Sequence, residues 1–151
     1  MGRIRTRQRA AGVLLFFLYL AALGYFLFFA ESFGRSSGGG YRYNLELFKE
    51  IRRFYEYRET VGTHAFLINI FGNVLAFMPF GFFLPIVRGK KSGVLTILVQ
   101  GLLFSLAIET VQLVTRLGSF DVDDILLNTA GTLAGYICFR LFLTGLDRRG
   151  G

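Results

Sequence analysis

The chain has 151 residues, of which 53% are hydrophobic and 18% are charged, and its net charge is +7. The charges are clustered, and four stretches (residues 10–30, 65–87, 93–115 and 125–144) carry almost none. Each stretch reaches the roughly 20 apolar residues that cross the hydrocarbon core of a bilayer. This pattern excludes a soluble enzyme of ordinary size, and no segment between the stretches is long enough to bury a core of its own.

The four stretches predict an all-α membrane protein that crosses the bilayer four times. A basic segment, residues 1–9, precedes a single membrane domain over residues 10–151. The first apolar stretch is longer than the roughly 7–15-residue core of a secretory signal peptide, so we interpret it as a retained span. The net positive charge is interpreted as a topology signal and a lipid contact, and not as a nucleic-acid-binding surface.

Basic residues lie mainly on one side of the four predicted spans. Residues 1–9, 88–91 and 147–151 together carry nine Lys and Arg residues and one acid. The segments on the other side, 31–64 and 116–124, carry seven Lys and Arg residues and eight acids. Because Lys and Arg favour the cytoplasmic side of a membrane, we expect both termini to be cytoplasmic.

The first external segment contains a predicted amphipathic helix. Its apolar residues fall within an arc of about 120° on a helical wheel, with charged residues opposite. They are Leu47, Phe48, Ile51, Phe54 and Tyr55. This helix is too short and too charged to span the bilayer, so we expect it to lie in the outer interface. Two roles remain open: it caps the bundle, or it contacts a lipid ligand.

Polar residues on the last three spans fall in the outer half of the bilayer, with Gln100 and Arg140 as the exceptions. They are Asn69 and Asn73 on span two, Ser105, Glu109, Gln112 and Arg116 on span three, and Asp121, Asp124 and Asn128 on span four. Within each span they share one helical face, provided that the fourth helix begins near Asp121. Since polar groups inside a membrane need partners, we expect these faces to meet at one level.

The fourth span also carries the sequence Gly131-Thr-Leu-Ala-Gly135. Two glycines at this spacing let a helix approach its neighbour closely. Dimerisation is one interpretation of such a pair, and close contact between helices of the same chain is the plainer one.

Glu109 is the candidate catalytic residue, because an ionisable group inside a span usually serves a function. It lies about 9 Å from the end of the third predicted span. A carboxylate at that depth is expected to be protonated or paired with a cation. Arg116 is the nearest cation in sequence, roughly 10 Å away along the helix. A structural network that joins three helices and a functional pocket both remain open.

Asp121, Asp123 and Asp124 place three carboxylates within four residues at the mouth of this region. Oxygen-rich clusters attract hard cations, so a divalent cation held by these three residues is one hypothesis. The other hypothesis is a helix amino-terminal cap, where acids are favoured by the helix dipole. A cap explains one or two of the acids better than it explains the third.

The sequence contains no established catalytic motif. His64 is the single histidine of the chain, which excludes a metal site with two histidines. Gly118-Ser119 is not part of a Gly-x-Ser-x-Gly nucleophile turn, and no His follows it. An enzyme is therefore not the favoured interpretation, and a hydrolase that uses carboxylates and a metal is the form that remains.

Two blocks of residues follow each other at a characteristic spacing. The first is Asn69-Ile-Phe-Gly72-Asn73-Val-Leu-Ala-Phe-Met-Pro79-Phe-Gly81, preceded by Asn44-Leu45. The second is Ser105-Leu-Ala-Ile-Glu109-Thr-Val-Gln112, then Arg116, then Asp121-Val-Asp123-Asp124-Ile-Leu-Leu-Asn128-Thr129-Ala-Gly131. Over about residues 41–144, this order resembles the VanZ-like family of small bacterial membrane proteins. The resemblance implies a location in the bacterial cytoplasmic membrane and a role in the cell envelope. The family is associated with reduced bacterial susceptibility to the glycopeptide teicoplanin.

The favoured function is an outer-leaflet polar pocket that binds an envelope lipid or a glycopeptide-type ligand. Its candidate ligand-binding residues are Asn69, Asn73, Ser105, Glu109, Gln112, Arg116, Asp121, Asp123, Asp124 and Asn128. One alternative is an intramembrane enzyme that acts on a lipid headgroup, with Glu109 as general base and a divalent cation on the three aspartates. A second alternative is a proton- or cation-coupled transport component. Expected partners are membrane lipids and an envelope precursor or a glycopeptide, with the oligomeric state left open.

Overall fold

The computed structural model describes residues 6–28, 40–49, 52, 56, 63–89 and 92–149, with the backbone alone for 63–69 and 146–149. Within these residues, the long helices are α1 (Thr6–Phe28), α2 (Thr63–Arg88), α3 (Val94–Thr115) and α4 (Val122–Arg149). Two strands of two residues each, β1 (Tyr43–Asn44) and β2 (Phe120–Asp121), lie in the loops before α2 and before α4.

All four helices are long and apolar enough to cross a membrane, which confirms the predicted all-α fold with four spans. The candidate spans are Thr6–Phe28, Ile70–Arg88, Val94–Thr115 and Val122–Gly145. The fourth begins three residues earlier than predicted because Asp123 and Asp124 belong to the first turn of α4. Carboxylates are favoured at that position by the partial positive charge of a helix amino terminus.

The predicted interfacial helix falls mainly on residues outside the described part of the chain. At its start, the N–H group of Arg52 donates a hydrogen bond of 2.8 Å to the carbonyl oxygen of Phe48, which is the spacing of a helical turn. The rest of that helix stays a prediction.

α2 and α4 run in the same direction and touch along their backbones. A Cβ atom added at Gly131 would lie 2.2 Å from the carbonyl oxygen of Val74, and one at Gly135 would lie 1.8 Å from that of Met78. No side chain fits at those distances, so both positions require glycine. The Gly131–Gly135 pair therefore brings α4 against α2 within the chain.

α1 and α3 run antiparallel to this central pair. The hydroxyl of Tyr19 on α1 donates a hydrogen bond of 2.8 Å to the carbonyl oxygen of Ala76 on α2. On the other flank, Gly101 of α3 lies against the side chain of Thr132 on α4. The end of the bundle where α1 and α3 finish and α2 and α4 begin is termed the polar end, and the opposite end is the basic end.

An apolar core fills the half of the bundle towards the basic end. Its buried members are Phe16, Phe80, Leu84, Ile86, Ile97, Tyr136, Phe139 and Leu143. The rings of Phe80 and Phe104 stack with their centroids 4.4 Å apart, which joins α2 to α3. Buried apolar surface of this kind packs the four helices together. Polar groups are fewer in this half, where the Oε1 atom of Gln100 is also buried without a hydrogen-bond partner among the described residues.

A short parallel ladder links the two loops at the polar end. Tyr43 pairs with Phe120 and Asn44 pairs with Asp121. The N–H group of Phe120 also donates a hydrogen bond of 3.0 Å to the carbonyl oxygen of Arg42. No strand is predicted here from the sequence, because a strand of two residues gives no detectable alternation of apolar and polar residues.

Enlarging Gly135 is expected to destabilise the bundle. In Gly135→Ala the new methyl group meets the backbone of Met78, so α2 and α4 must separate, at a cost of roughly 1–3 kcal/mol. The matched control is Gly24→Ala on α1, where a Cβ meets nothing within 4 Å. Thermal unfolding of the purified protein in detergent measures both variants. An unchanged midpoint for Gly135→Ala would contradict the close contact between α2 and α4.

Candidate functional site

Side chains from three helices and two loops form a hydrogen-bonded cluster at the polar end, termed the polar cluster. Its members are Asn44, Asn73, Ser105, Glu109, Asp121, Asp123, Asp124 and Asn128. Asn44 precedes α2, Asp121 ends β2, and the other six lie on α2, α3 and α4. Seven of these eight residues carry amide or carboxylate groups, so the cluster is rich in hydrogen-bond acceptors.

The innermost contact of the polar cluster joins α3 to α4. The Nδ2 atom of Asn128 donates a hydrogen bond of 2.9 Å to the hydroxyl oxygen of Ser105. Both residues are buried, and Asn128 is 3% exposed. The Oδ1 atom of Asn128 is buried and has no hydrogen-bond partner among the described residues. A buried acceptor without a partner raises the free energy of the folded state.

Glu109 lies one helical turn further towards the polar end and is 3% exposed. Its Oε2 atom accepts a hydrogen bond of 3.0 Å from the backbone N–H group of Asp121. The side chain therefore ties α3 to the segment that leads into α4. A carboxylate that accepts a backbone N–H group is partly compensated for its removal from water.

Asp121 immediately precedes α4 and accepts two hydrogen bonds through its Oδ1 atom. One comes from Nδ2 of Asn44, at 3.1 Å, and the other from the backbone N–H group of Asp123, at 2.8 Å. The second bond is the amino-terminal cap that the sequence analysis considers. Burial of the carboxyl raises the pKa of Asp121 above its ordinary value, against the lowering effect of these hydrogen bonds.

The two acids in the first turn of α4 contact different parts of the chain. Asp123 is 1% exposed, and its Oδ1 atom accepts a hydrogen bond from the backbone N–H group of Phe48. The Oδ1 atom of Asp124 accepts a hydrogen bond from Nδ2 of Asn73 on α2. The start of α4 thereby joins β1, the segment after β1, and α2.

The three aspartates do not gather around one point. Among the described residues, no group of three His, Cys, Asp or Glu side chains is arranged to hold a metal ion. Asp121, Asp123 and Asp124 instead accept hydrogen bonds from separate donors. These bonds give each acid a structural role that needs no cation, and the divalent-cation hypothesis stays a prediction.

Two candidate residues of the third span, Gln112 and Arg116, lie beside the polar cluster. The described side-chain hydrogen bonds of the cluster do not include them. Gln112 is buried on α3, where its side chain is covered by Gly118. Arg116 follows the end of α3 with a left-handed backbone, φ 58°, and its guanidinium lies 4.7 Å from the centre of the Tyr41 ring. The expected helical face does not extend to Arg116 because α3 ends at Thr115.

The remaining sequence predictions concern residues near the start of α2. Asn69 lies in α2, but its side chain and that of His64 are outside the described part of the structure. Asn44 is a member of the polar cluster that is not among the candidate residues predicted from the sequence. The one signal for it in the sequence is the pair Asn44-Leu45, which is part of the family resemblance.

A family model described as VanZ/LLP1 matches residues 16–143 of the chain. The match covers all four helices in part or whole and includes every residue of the polar cluster. No curated protein and no solved structure matches the chain.

The raised pKa of Asp121 predicts a pH dependence of stability. A carboxyl whose pKa is raised by folding stabilises the folded state most when it is protonated, and that contribution is lost as the pH rises through the raised pKa. Asp121→Asn keeps an acceptor oxygen for Asn44 and Asp123 without the charge. We therefore expect the wild type to lose stability relative to this variant as the pH rises above the ordinary pKa of an aspartate carboxyl.

Unfolding midpoints of both proteins across a pH series measure the difference. A wild type that gains stability relative to Asp121→Asn with rising pH would contradict the effect of burial on Asp121. Asp121→Ala, which removes the acceptor as well as the charge, is expected to be less stable than Asp121→Asn at every pH.

Proposed function

The chain belongs to the VanZ/LLP1 family, and we propose that its polar end binds the polar headgroup of a cell-envelope lipid or of a glycopeptide-type ligand. Through this binding, the protein would lower the susceptibility of its host to teicoplanin-type antibiotics. The fold supports a membrane protein, and the polar cluster supports a site at one end of the bundle.

The observation that carries the proposal is the unpartnered Oδ1 atom of Asn128. This atom lies between α3 and α4, one helical turn inside Glu109 and Asp124. A buried amide oxygen without a donor costs free energy, and a hydroxyl or amine group of a ligand would remove that cost. Polar groups held at such a position inside a span are expected to serve a function.

The acceptor oxygens of the polar end favour a ligand with hydrogen-bond donors. Glu109 and the three aspartates beside α4 supply acceptor oxygens. Sugar hydroxyls and amino groups match such a surface, and both occur in envelope precursors and in glycopeptides. Arg116 is exposed at the rim, where a guanidinium suits a phosphate or carboxylate of the same ligand.

The location follows from the charge distribution of the sequence. With both termini in the cytoplasm, the basic end faces the cytoplasm and the polar end faces the outside of the bacterial cytoplasmic membrane. Envelope lipids and glycopeptides would then meet the polar cluster from the outer leaflet.

Replacing Glu109 with glutamine is expected to abolish the effect on susceptibility. Glu109→Gln keeps an acceptor for the N–H group of Asp121 but replaces the carboxyl group with an amide, so the fold should persist while ligand binding is lost. The measurement is the teicoplanin susceptibility of a sensitive bacterial host that expresses the tagged protein. We expect susceptibility to return to the level of the empty vector, with unchanged abundance of the protein in the membrane.

Two further variants separate binding from folding. Asn128→Leu removes the unpartnered oxygen and is expected to restore susceptibility as Glu109→Gln does. Thr129→Val, which changes the next residue of α4 and breaks a bond to its own helix, is expected to leave the phenotype intact. Loss of membrane abundance in Glu109→Gln would instead favour a purely structural network, and an unchanged phenotype would contradict the proposal.

A further inference from the structure

Apolar side chains are exposed on the loop that follows β1. Leu45 is 66% exposed and Phe48 is 48% exposed, and Leu47 between them is exposed as well. These three residues are termed the loop patch. Contiguous exposed apolar side chains on a folded protein mark a contact with a membrane or with another apolar partner.

The backbone of Phe48 adopts a conformation that side chains other than glycine rarely take. Its φ angle is 63°, in the left-handed region, which is strained for a bulky residue. Such a conformation persists only where the surrounding structure holds it. Here the buried carboxylate of Asp123 accepts a hydrogen bond from the N–H group of Phe48. The first turn of α4 thus fixes the loop patch at one end.

A second set of contacts fixes the loop patch at its other end. Asn44, which is buried, donates a hydrogen bond of 3.1 Å from Nδ2 to Asp121. The Oδ1 atom of Asn44 accepts a hydrogen bond of 3.1 Å from the N–H group of Glu46. Carboxylates at the start of α4 therefore hold both ends of a segment whose apolar side chains remain exposed.

We propose that the loop patch inserts into the acyl chains of the leaflet at the polar end, and that Asp123 is the positioning residue that holds it there. The proposal concerns the lipid around the protein and does not depend on a ligand of the polar cluster. It gives a role to Asp123, a buried acid in the first turn of α4.

The neighbours of the loop patch favour a lipid partner. Tyr41, just before β1, and Tyr43, in β1, are both exposed, and tyrosine is enriched where a protein crosses from hydrocarbon to headgroups. The guanidinium of Arg116 lies against Tyr41, at a position suited to a lipid phosphate. Apolar, aromatic and basic groups side by side match the interface of a bilayer.

Fluorescence of a single tryptophan tests the insertion, because the chain contains no tryptophan of its own. The full-length Phe48→Trp variant is reconstituted into phosphatidylcholine vesicles. We expect brominated acyl chains to quench most of its emission and aqueous iodide to quench little. Phe17→Trp, at an exposed position within the α1 span, is the matched control for contact with acyl chains. Quenching of Phe48→Trp by iodide and not by bromine would overturn the insertion.

The role of Asp123 is tested in the same background. Asp123→Ala removes the acceptor for the Phe48 N–H group, so we expect loss of bromine quenching and a gain of iodide quenching. Asp123→Asn keeps an acceptor oxygen and is expected to retain the bromine quenching. If Asp123→Ala leaves the quenching of Phe48→Trp unchanged, Asp123 has no positioning role.

A folding control keeps this test decisive. Asp123→Ala combined with Phe17→Trp should keep the bromine quenching of the unaltered bundle. A change in that quenching would mean that Asp123→Ala disrupts the bundle. In that case Leu45→Trp, made in the otherwise unaltered chain, tests the insertion without any change at Asp123. Bromine quenching of Leu45→Trp supports the insertion, and iodide quenching overturns it.

Discussion

Polar groups between membrane helices have no water to bind, and this constraint organises the polar end of the protein. The carboxylate of Glu109 accepts the N–H group of Asp121, while the aspartates around the start of α4 accept donors from α2 and from the loop after β1. Each bond satisfies one polar group and joins two segments that are distant in sequence. The described residues 40–49 and 116–121 at this end are consequently held in place by bonds to the buried acids.

The glycine contact between α2 and α4 sets the geometry in which those bonds form. Gly131 of α4 lies against Val74 of α2, which brings the two backbones close together. The short side chain of Asn73 can therefore reach Asp124, which lies about two turns before Gly131 on α4. The same helices carry the apolar core towards the basic end. Close contact in the middle of the bundle thereby couples a mainly apolar half to a polar half, and a change in helix separation would alter both.

Sequence periodicity was sufficient for the spans and for the polar faces of α3 and α4, because both depend on a regular 3.6-residue repeat. It failed at Arg116, since a left-handed residue ends α3 there and takes the guanidinium to Tyr41. It also missed the contacts of Asn44 and Phe48, which bind residues 75 or more positions away. Loop residues have no periodic pattern, so the sequence does not predict such contacts. The spacing of the acids at 121–124 is equally compatible with a metal site and with three separate hydrogen bonds.

The composition of the polar cluster is not the one that helix association alone would favour. The charged form of Asp121 is disfavoured by burial, and an asparagine there would keep both of its hydrogen bonds without that cost. An apolar residue at Asn128 would avoid an unpartnered buried oxygen and lose one hydrogen bond to Ser105. Asp121 and Asn128 thus both lower the stability of the folded protein. Such residues fit a binding site in which a ligand donates the missing hydrogen bonds, as the proposed function requires.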